Sequence, residues 1–188
     1  MKSIAVFCGS NFNGNLNIKQ AIDDLTKLMV HQKIDLVFGG GKVGIMGLLA
    51  DHILERGGRA IGVIPQFLME KEVGHSGLTE LHIVDTMHQR KQLMNELSEG
   101  IIMLPGGIGT LEEFFEMFTW LQLGLIHKPI GILNLEGFYD HLLDQLNIMV
   151  QEQYLKPANL ELILVSNNPK ELIKRMQDFK SLPESLWI

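Results

Sequence analysis

The segment "PGGIGTLEE" (105–113) brings glycines, a hydroxyl and two carboxylates within nine residues. Gly106, Gly107 and Gly109 let a backbone turn its N–H groups toward a guest, and Thr110 adds a hydroxyl. A helix starting at Thr110 aims its unpaired N–H groups at the same place, which suits an anion such as phosphate. The helix terminus itself adds about 0.3–1 kcal/mol to such binding. Glu112 and Glu113 follow at once. A first-turn glutamate on its own complements the helix dipole. Beside an anion seat, it suggests instead that the two chemistries serve different ends of one substrate.

A second cluster lies in "TMHQRKQLMNELS" (86–98), where Arg90 and Lys91 fall early in a helix whose apolar stripe is Met87, Leu93, Met94 and Leu97. Cations near a helix N-terminus oppose the dipole, so a bound anion or a facing carboxylate is expected to compensate. The third is "GGGKVGIMG" (39–47), with G-x-G-x-x-G at Gly39, Gly41 and Gly44. It fits either a tight strand-to-helix turn with close packing or contact with a phosphate. NAD is not expected, because "IGVIPQF" stands where the ribose-binding acid would be. Lys42 is followed by Val43, which excludes a P-loop. Histidines 31, 52, 75, 82, 88, 127 and 141 form no ligand pair with a carboxylate, so neither a metal nor another cofactor is expected. Ser10 lacks the G-x-S-x-G setting of a nucleophile.

These clusters need a scaffold, and the apolar pattern supplies one. Runs at 3–9, 34–41, 59–65, 81–85, 100–107, 128–134 and 160–166 are nearly continuous in apolar residues, as strands covered on both faces should be. Helical periodicity falls between them, at 16–32, 44–56, 87–98, 110–124, 137–152 and 168–178. In the last, Asn168 is a cap and Pro169 the first helical residue. The alternation predicts an α/β fold: a single doubly wound, mostly parallel sheet with helices on both faces, Rossmann-like, forming one domain over 1–188. The segment 65–80, "PQFLMEKEVGHSGLTE", reads as one long irregular stretch with a functional role. Ligands bind beyond the carboxyl ends of such strands. Three glycine turns meet there: Gly9–Ser10, Gly39–Gly41 and Gly106–Gly109.

Hydrophobic residues make up 46% of the 188 and charged residues 20%, an ordinary globular balance. The net charge of -6 gives no broad attraction to nucleic acid or an anionic membrane, so a bound phosphate must be held by local groups. The lone Cys8 excludes an internal disulfide and fits a reducing cytoplasm. The N-terminal apolar run is shorter than a signal peptide's core, and none approaches a membrane span. The C-terminal Trp187 and Ile188 hint at burial of the tail.

With "PGGIGTLEE" and "MHQRK" (87–91) taken together, the chain resembles the Lonely Guy (LOG) family, long labelled "possible lysine decarboxylases". The likeness extends to "FCGSN" (7–11), "VFGGGKVGIMG" (37–47), "GVIPQFLMEKEV" (62–73) and "TWLQLG…KPIGILN" (119–134). The resemblance implies a phosphoribohydrolase that cleaves the N-glycosidic bond of a nucleoside 5'-monophosphate, a cytokinin nucleotide or AMP. It implies Arg90 and Glu113 as the catalytic pair. Glu72, Lys91, the loop Gly107, Ile108, Gly109, Thr110, Leu111 and Glu112, and Thr119 match its substrate-binding positions. Gly106, Ser10, Gly40, Gly41 and Met87 complete the candidate contacts. A homodimer with its site near the interface, and no nucleic-acid or membrane partner, is also implied. No lysine has an evident pyridoxal-phosphate setting, which weighs against the decarboxylase label. Two alternatives stand beside the hydrolase: a nucleotide-binding or carrier protein without hydrolysis, and a structural module that leaves the glycine turns unexplained.

Overall fold

Side chains alternate along the first strand between two apolar layers, Ile4 and Val6 facing one and Ala5 and Phe7 the other. That alternation, repeated across the sheet, explains the continuous apolar runs in the sequence. The computed structural model describes residues 1–72 and 74–180, Glu70 and Glu72 by backbone alone. Strands form at β1 (Ser3–Phe7), β2 (Asp35–Phe38), β3 (Ala60–Pro65), β4 (Glu80–Val84), β5 (Ile101–Met103), β6 (Ile130–Leu133) and β7 (Ile163–Ser166). Helices form at α1 (Leu16–His31), α2 (Gly44–Glu55), α3 (Gln66–Glu72), α4 (Met87–Glu96), α5 (Ile108–Gln122), α6 (Asp140–Gln151), α7 (Pro157–Leu160) and α8 (Pro169–Gln177).

The seven-stranded sheet has the order β4-β3-β2-β1-β5-β6-β7. Among the described residues every strand pair is parallel, and a single antiparallel bridge, Gly41 with Gly74, lies outside the named strands. Helices α1, α2 and α8 cover one face through residues such as Ile22, Leu49 and Leu172. Helices α4, α5 and α6 cover the other through Met94, Phe114 and Leu146. The chain winds outward from β1 to β4, then crosses to β5 on the far side of β1. The turns leaving β1 and β5 therefore diverge, which opens a crevice at their carboxyl ends. Gly9 N–H donates to Pro105 O across that crevice at 3.1 Å.

Several boundaries differ from the sequence reading. The stretch 65–80 is not wholly irregular: α3 occupies its first half. "QFLMEKE" holds neither glycine nor proline and is rich in good helix formers, but is too short to display a helical period. Strand β2 ends at Phe38, before Gly40 turns left-handed at φ 75°. Helix α5 begins at Ile108 with Gly107 as its cap, two residues ahead of Thr110. The Asn168 cap and the leading Pro169 of α8 are as expected, with Asn168 Oδ1 accepting from Lys170 N and Glu171 N. Trp187 and Ile188 lie outside the described residues. Among those described, no helix is long and apolar enough to cross a membrane.

Candidate active site

Helix α4 is fixed at its start by a capping box. Thr86 Oγ1 accepts from Gln89 N at 3.1 Å, and Gln89 Oε1 accepts from Thr86 N at 3.1 Å. One turn on, the two cations of the sequence motif part company. Arg90, only 5% exposed, reaches under the turn after β2, where Nη2 donates to Gly39 O at 3.1 Å. Its Nη1 lies 3.9 Å from Met87 Sδ. Its Nε is buried with no hydrogen-bond partner among the described residues. A Cβ on Gly39 would stand 1.9 Å from Arg90 Nη2, so glycine here makes room for the guanidinium.

Lys91, 3% exposed, points instead between α4 and α5. Its ammonium pairs with Glu112 and, at 2.9 Å, with Glu116. Burial by itself would push this amine down, but hydrogen bonds and charge from Glu112 and Glu116 hold its pKa above the usual lysine value. These are the facing carboxylates that a cation pair early in a helix calls for.

The turn from β5 into α5 supplies the opposite wall. Gly106, Gly107 and Gly109 all avoid positive φ, so none is needed for a left-handed backbone. A Cβ on Gly106 would stand 2.1 Å from Thr110 Oγ1 and 2.9 Å from Gly9 N. At Gly107 and Gly109 it would meet nothing within 4 Å, because both open onto empty space. Gly107 gives α5 no side-chain cap, so its first N–H groups lack the usual capping acceptor. Thr110 and Glu113 are buried, Glu113 being 8% exposed.

Arg90, Glu113, Thr110 and Gly107 line one cavity of about 270 Å³, together with Ser10, Met87, Ile108 and Gly109. Cys8 lies in its wall. Burial raises the Cys8 thiol pKa far above its ordinary value, the charge of Glu113 raises it further, and Arg90 lowers it. A carboxylate and a guanidinium thus sit within electrostatic reach of one sulfur. Gly106 lines a neighbouring cavity of about 340 Å³, bordered by Phe12 and Phe138, which shares Gly9, Ser10 and Gly107 with the first.

The other sequence candidates lie elsewhere. Gly40 O accepts from His75 N at 3.0 Å and Gly41 bridges Gly74, so both tie the segment after α3 to the sheet, while Gly39 lines the cavity. Leu111 packs against the core and Glu112 pairs with Lys91. Thr119 is exposed, and its hydroxyl donates to Phe115 O at 2.7 Å. Glu72 closes α3, and its side chain lies outside the described residues. Gly39 was read as part of a glycine turn at the ligand rim, while Cys8, Met46, Leu68, Met94 and Glu116 were not read as site residues. Only Cys8, two residues before Ser10, and Glu116, one turn after Glu112, carried a local signal.

Comparison with known proteins places this chain in a family. The family model described as "Possible lysine decarboxylase" matches residues 46–176. The cytokinin riboside 5'-monophosphate phosphoribohydrolase LOG1 of Arabidopsis thaliana is 42% identical over 95% of this chain and 84% of its own length. The probable cytokinin riboside 5'-monophosphate phosphoribohydrolase LOGL6 of Oryza sativa subsp. japonica is 39% identical over 99% of this chain and 76% of its own. Among solved structures, the molybdenum cofactor binding protein of Rippkaea orientalis superposes with a TM-score of 0.66 at 18% identity, covering 94% of this chain and 95% of that one. The Moco carrier protein of Chlamydomonas reinhardtii gives 0.66 at 17%, with 94% and 95% covered. These two share the fold. The matched model and the identities to the plant proteins together establish that the chain belongs to the LOG family.

Proposed function

We propose that the protein hydrolyses the N-glycosidic bond of a nucleoside 5'-monophosphate, a cytokinin nucleotide such as N6-isopentenyl-AMP or AMP itself, to free base and ribose 5-phosphate. The observation that carries this reading is the buried carboxylate of Glu113 and the buried guanidinium of Arg90 in the wall of the cavity onto which the uncapped start of α5 opens. The N–H groups of 107–110 and the Thr110 hydroxyl hold the 5'-phosphate, which is favoured by the helix terminus. Cleavage of the bond from C1' to the base nitrogen leaves positive charge on the ribose, as in glycoside hydrolysis. The Glu113 carboxylate stabilises that charge and orients the water whose oxygen bonds to C1'. One proton of that water passes to the departing base. Arg90, whose guanidinium shares the cavity with Glu113, helps to place that carboxylate or contacts the substrate.

The lining of this cavity includes no lysine, and Lys91 is engaged by two carboxylates, so the residues present do not support amine chemistry of the decarboxylase kind. We assign the protein to the cytoplasm on its buried, unpaired Cys8. Ile108, 82% exposed at the cavity, and Phe67, 52% exposed on α3, support a homodimer that covers an apolar rim beside the site. Sedimentation equilibrium checks this, and a monomer at micromolar concentration contradicts it. The activity is tested by offering AMP and N6-isopentenyl-AMP side by side to the purified protein. Release of free base and ribose 5-phosphate is expected, and the ratio of rates names the preferred base. Binding of both nucleotides without release would replace the hydrolase with a nucleotide carrier.

A further inference from the structure

We propose that Lys91 is a positioning residue: with Glu112 and Glu116 it forms an ionic strut between α4 and α5 that sets Arg90 against Glu113. The proposal rests on the hydrolase reading and adds to it Glu116, along with a role for Lys91 other than contact with substrate.

Three observations carry it. Lys91 is almost wholly buried, and its ammonium does not line the cavity that holds Arg90 and Glu113. Its charge is already opposed by two carboxylates, so the cluster presents net negative charge and repels a phosphate. The spacing on both helices then explains what the cluster does. Glu112 and Glu116 lie one turn apart on α5 and share a face, while Glu113 is the next residue round, about 100° away. Lys91 and Arg90 are adjacent on α4 with the same angular offset. Pinning Lys91 to both glutamates fixes the rotation of each helix about its axis. Those rotations decide where Arg90 and Glu113 point.

The test compares turnover with nucleotide affinity in Lys91→Met, Glu116→Gln and Lys91→Met/Glu116→Met, with melting curves to confirm folding. A strut predicts that Lys91→Met lowers kcat on the order of 10²-fold, because misplacement by about 1 Å costs that much, while the Kd for AMP by calorimetry stays within about threefold. The double variant removes Lys91 with the more buried of its two carboxylates, leaving only the half-exposed Glu112, and regains at least about tenfold of the lost kcat. Glu116→Gln, which keeps the side chain's shape and serves where Lys91→Met fails to fold, lowers kcat by about tenfold at unchanged Kd. A substrate contact predicts the opposite pattern: Kd rises about tenfold or more in Lys91→Met, the double variant does not recover, and Glu116→Gln binds AMP as well as before or better. That pattern overturns the strut. Wild-type protein that binds AMP yet releases no adenine overturns the hydrolase reading alone, and the Kd measurements still decide the role of Lys91.

Discussion

Replacing Gly39 by alanine separates the requirements of the fold from those of the chemistry. The added Cβ would lie 1.9 Å from Arg90 Nη2 and 3.1 Å from both Arg90 Cζ and Met46 Sδ. Ordinary contact requires about 3.5 Å, so the guanidinium must retreat by about 1.5 Å. Gly39 has no positive φ, which leaves the backbone free of strain. Overpacking of this kind costs about 1–3 kcal/mol, less than the 5–15 kcal/mol that keeps a typical domain folded. The protein therefore stays folded while Arg90 is displaced within the cavity. A shift of about 1 Å or more in a reacting group costs on the order of 10²-fold in rate, equivalent to about 2.7 kcal/mol of transition-state stabilisation. The assay is base release from AMP at saturating and limiting substrate, paired with urea denaturation. The expected outcome is a loss of kcat/KM near 10²-fold with a cooperative transition retained. Turnover within about threefold of wild type would show that the position of Arg90 does not govern the reaction.

The glycines of the β5–α5 turn should divide in the same way. Gly106→Ala drives a Cβ into Thr110 Oγ1 and the Gly9 backbone and lowers stability by about 1–3 kcal/mol, read as a fall in melting temperature. Gly107→Ala meets nothing in the folded chain, so stability changes by less than about 1 kcal/mol while the KM for AMP rises about tenfold. Equal destabilisation by both would refute the assignment of 107 to ligand space. Stability should also fall at alkaline pH. Burial raises the pKa of the Cys8 thiol and the Tyr139 phenol above their ordinary 9.0 and 10.0. Above about pH 9 the folded state therefore binds more protons than the unfolded one, and the stabilisation present below that pH is lost as pH rises. Lys91, also raised, acts in the same direction, while Lys128, lowered by burial, opposes it. The urea midpoint is expected to drop between about pH 8 and pH 10.5, and a constant or rising midpoint contradicts this sign.

What the sequence disclosed follows from which interactions are local. The inner strands stood out because each is a short apolar run buried on both faces, while the edge strand β4 leaves Ile83 half-exposed. The cap of α8 stood out because Asn168 and Pro169 do their work within four residues. The start of α5 near 107–110 was legible for the same reason, since glycines and a helix start coincide there. Lys91 illustrates the other kind. Beside Arg90 in the chain it looked like part of one basic pair, yet the two side chains diverge, and its partners lie 21 and 25 residues away on α5. Likewise Gly39 is shaped by a guanidinium 51 residues downstream, so the motif showed a glycine turn but not the side chain that needs it. Helix α3 escaped notice because seven residues are too few to show a period.

The central claim is that Glu113 acts on the ribose in the transition state more than on the bound nucleotide. Glu113→Gln, nearly isosteric, removes the charge and leaves the proposed phosphate seat at 107–110 untouched. Single-turnover release of adenine from AMP, with the Kd for AMP measured on the same preparation, tests it most directly. The account predicts a fall in the rate of at least about 10³-fold at a Kd within about threefold of wild type. A rate near that of wild type would contradict it, as would a rate lost only in proportion to weakened binding.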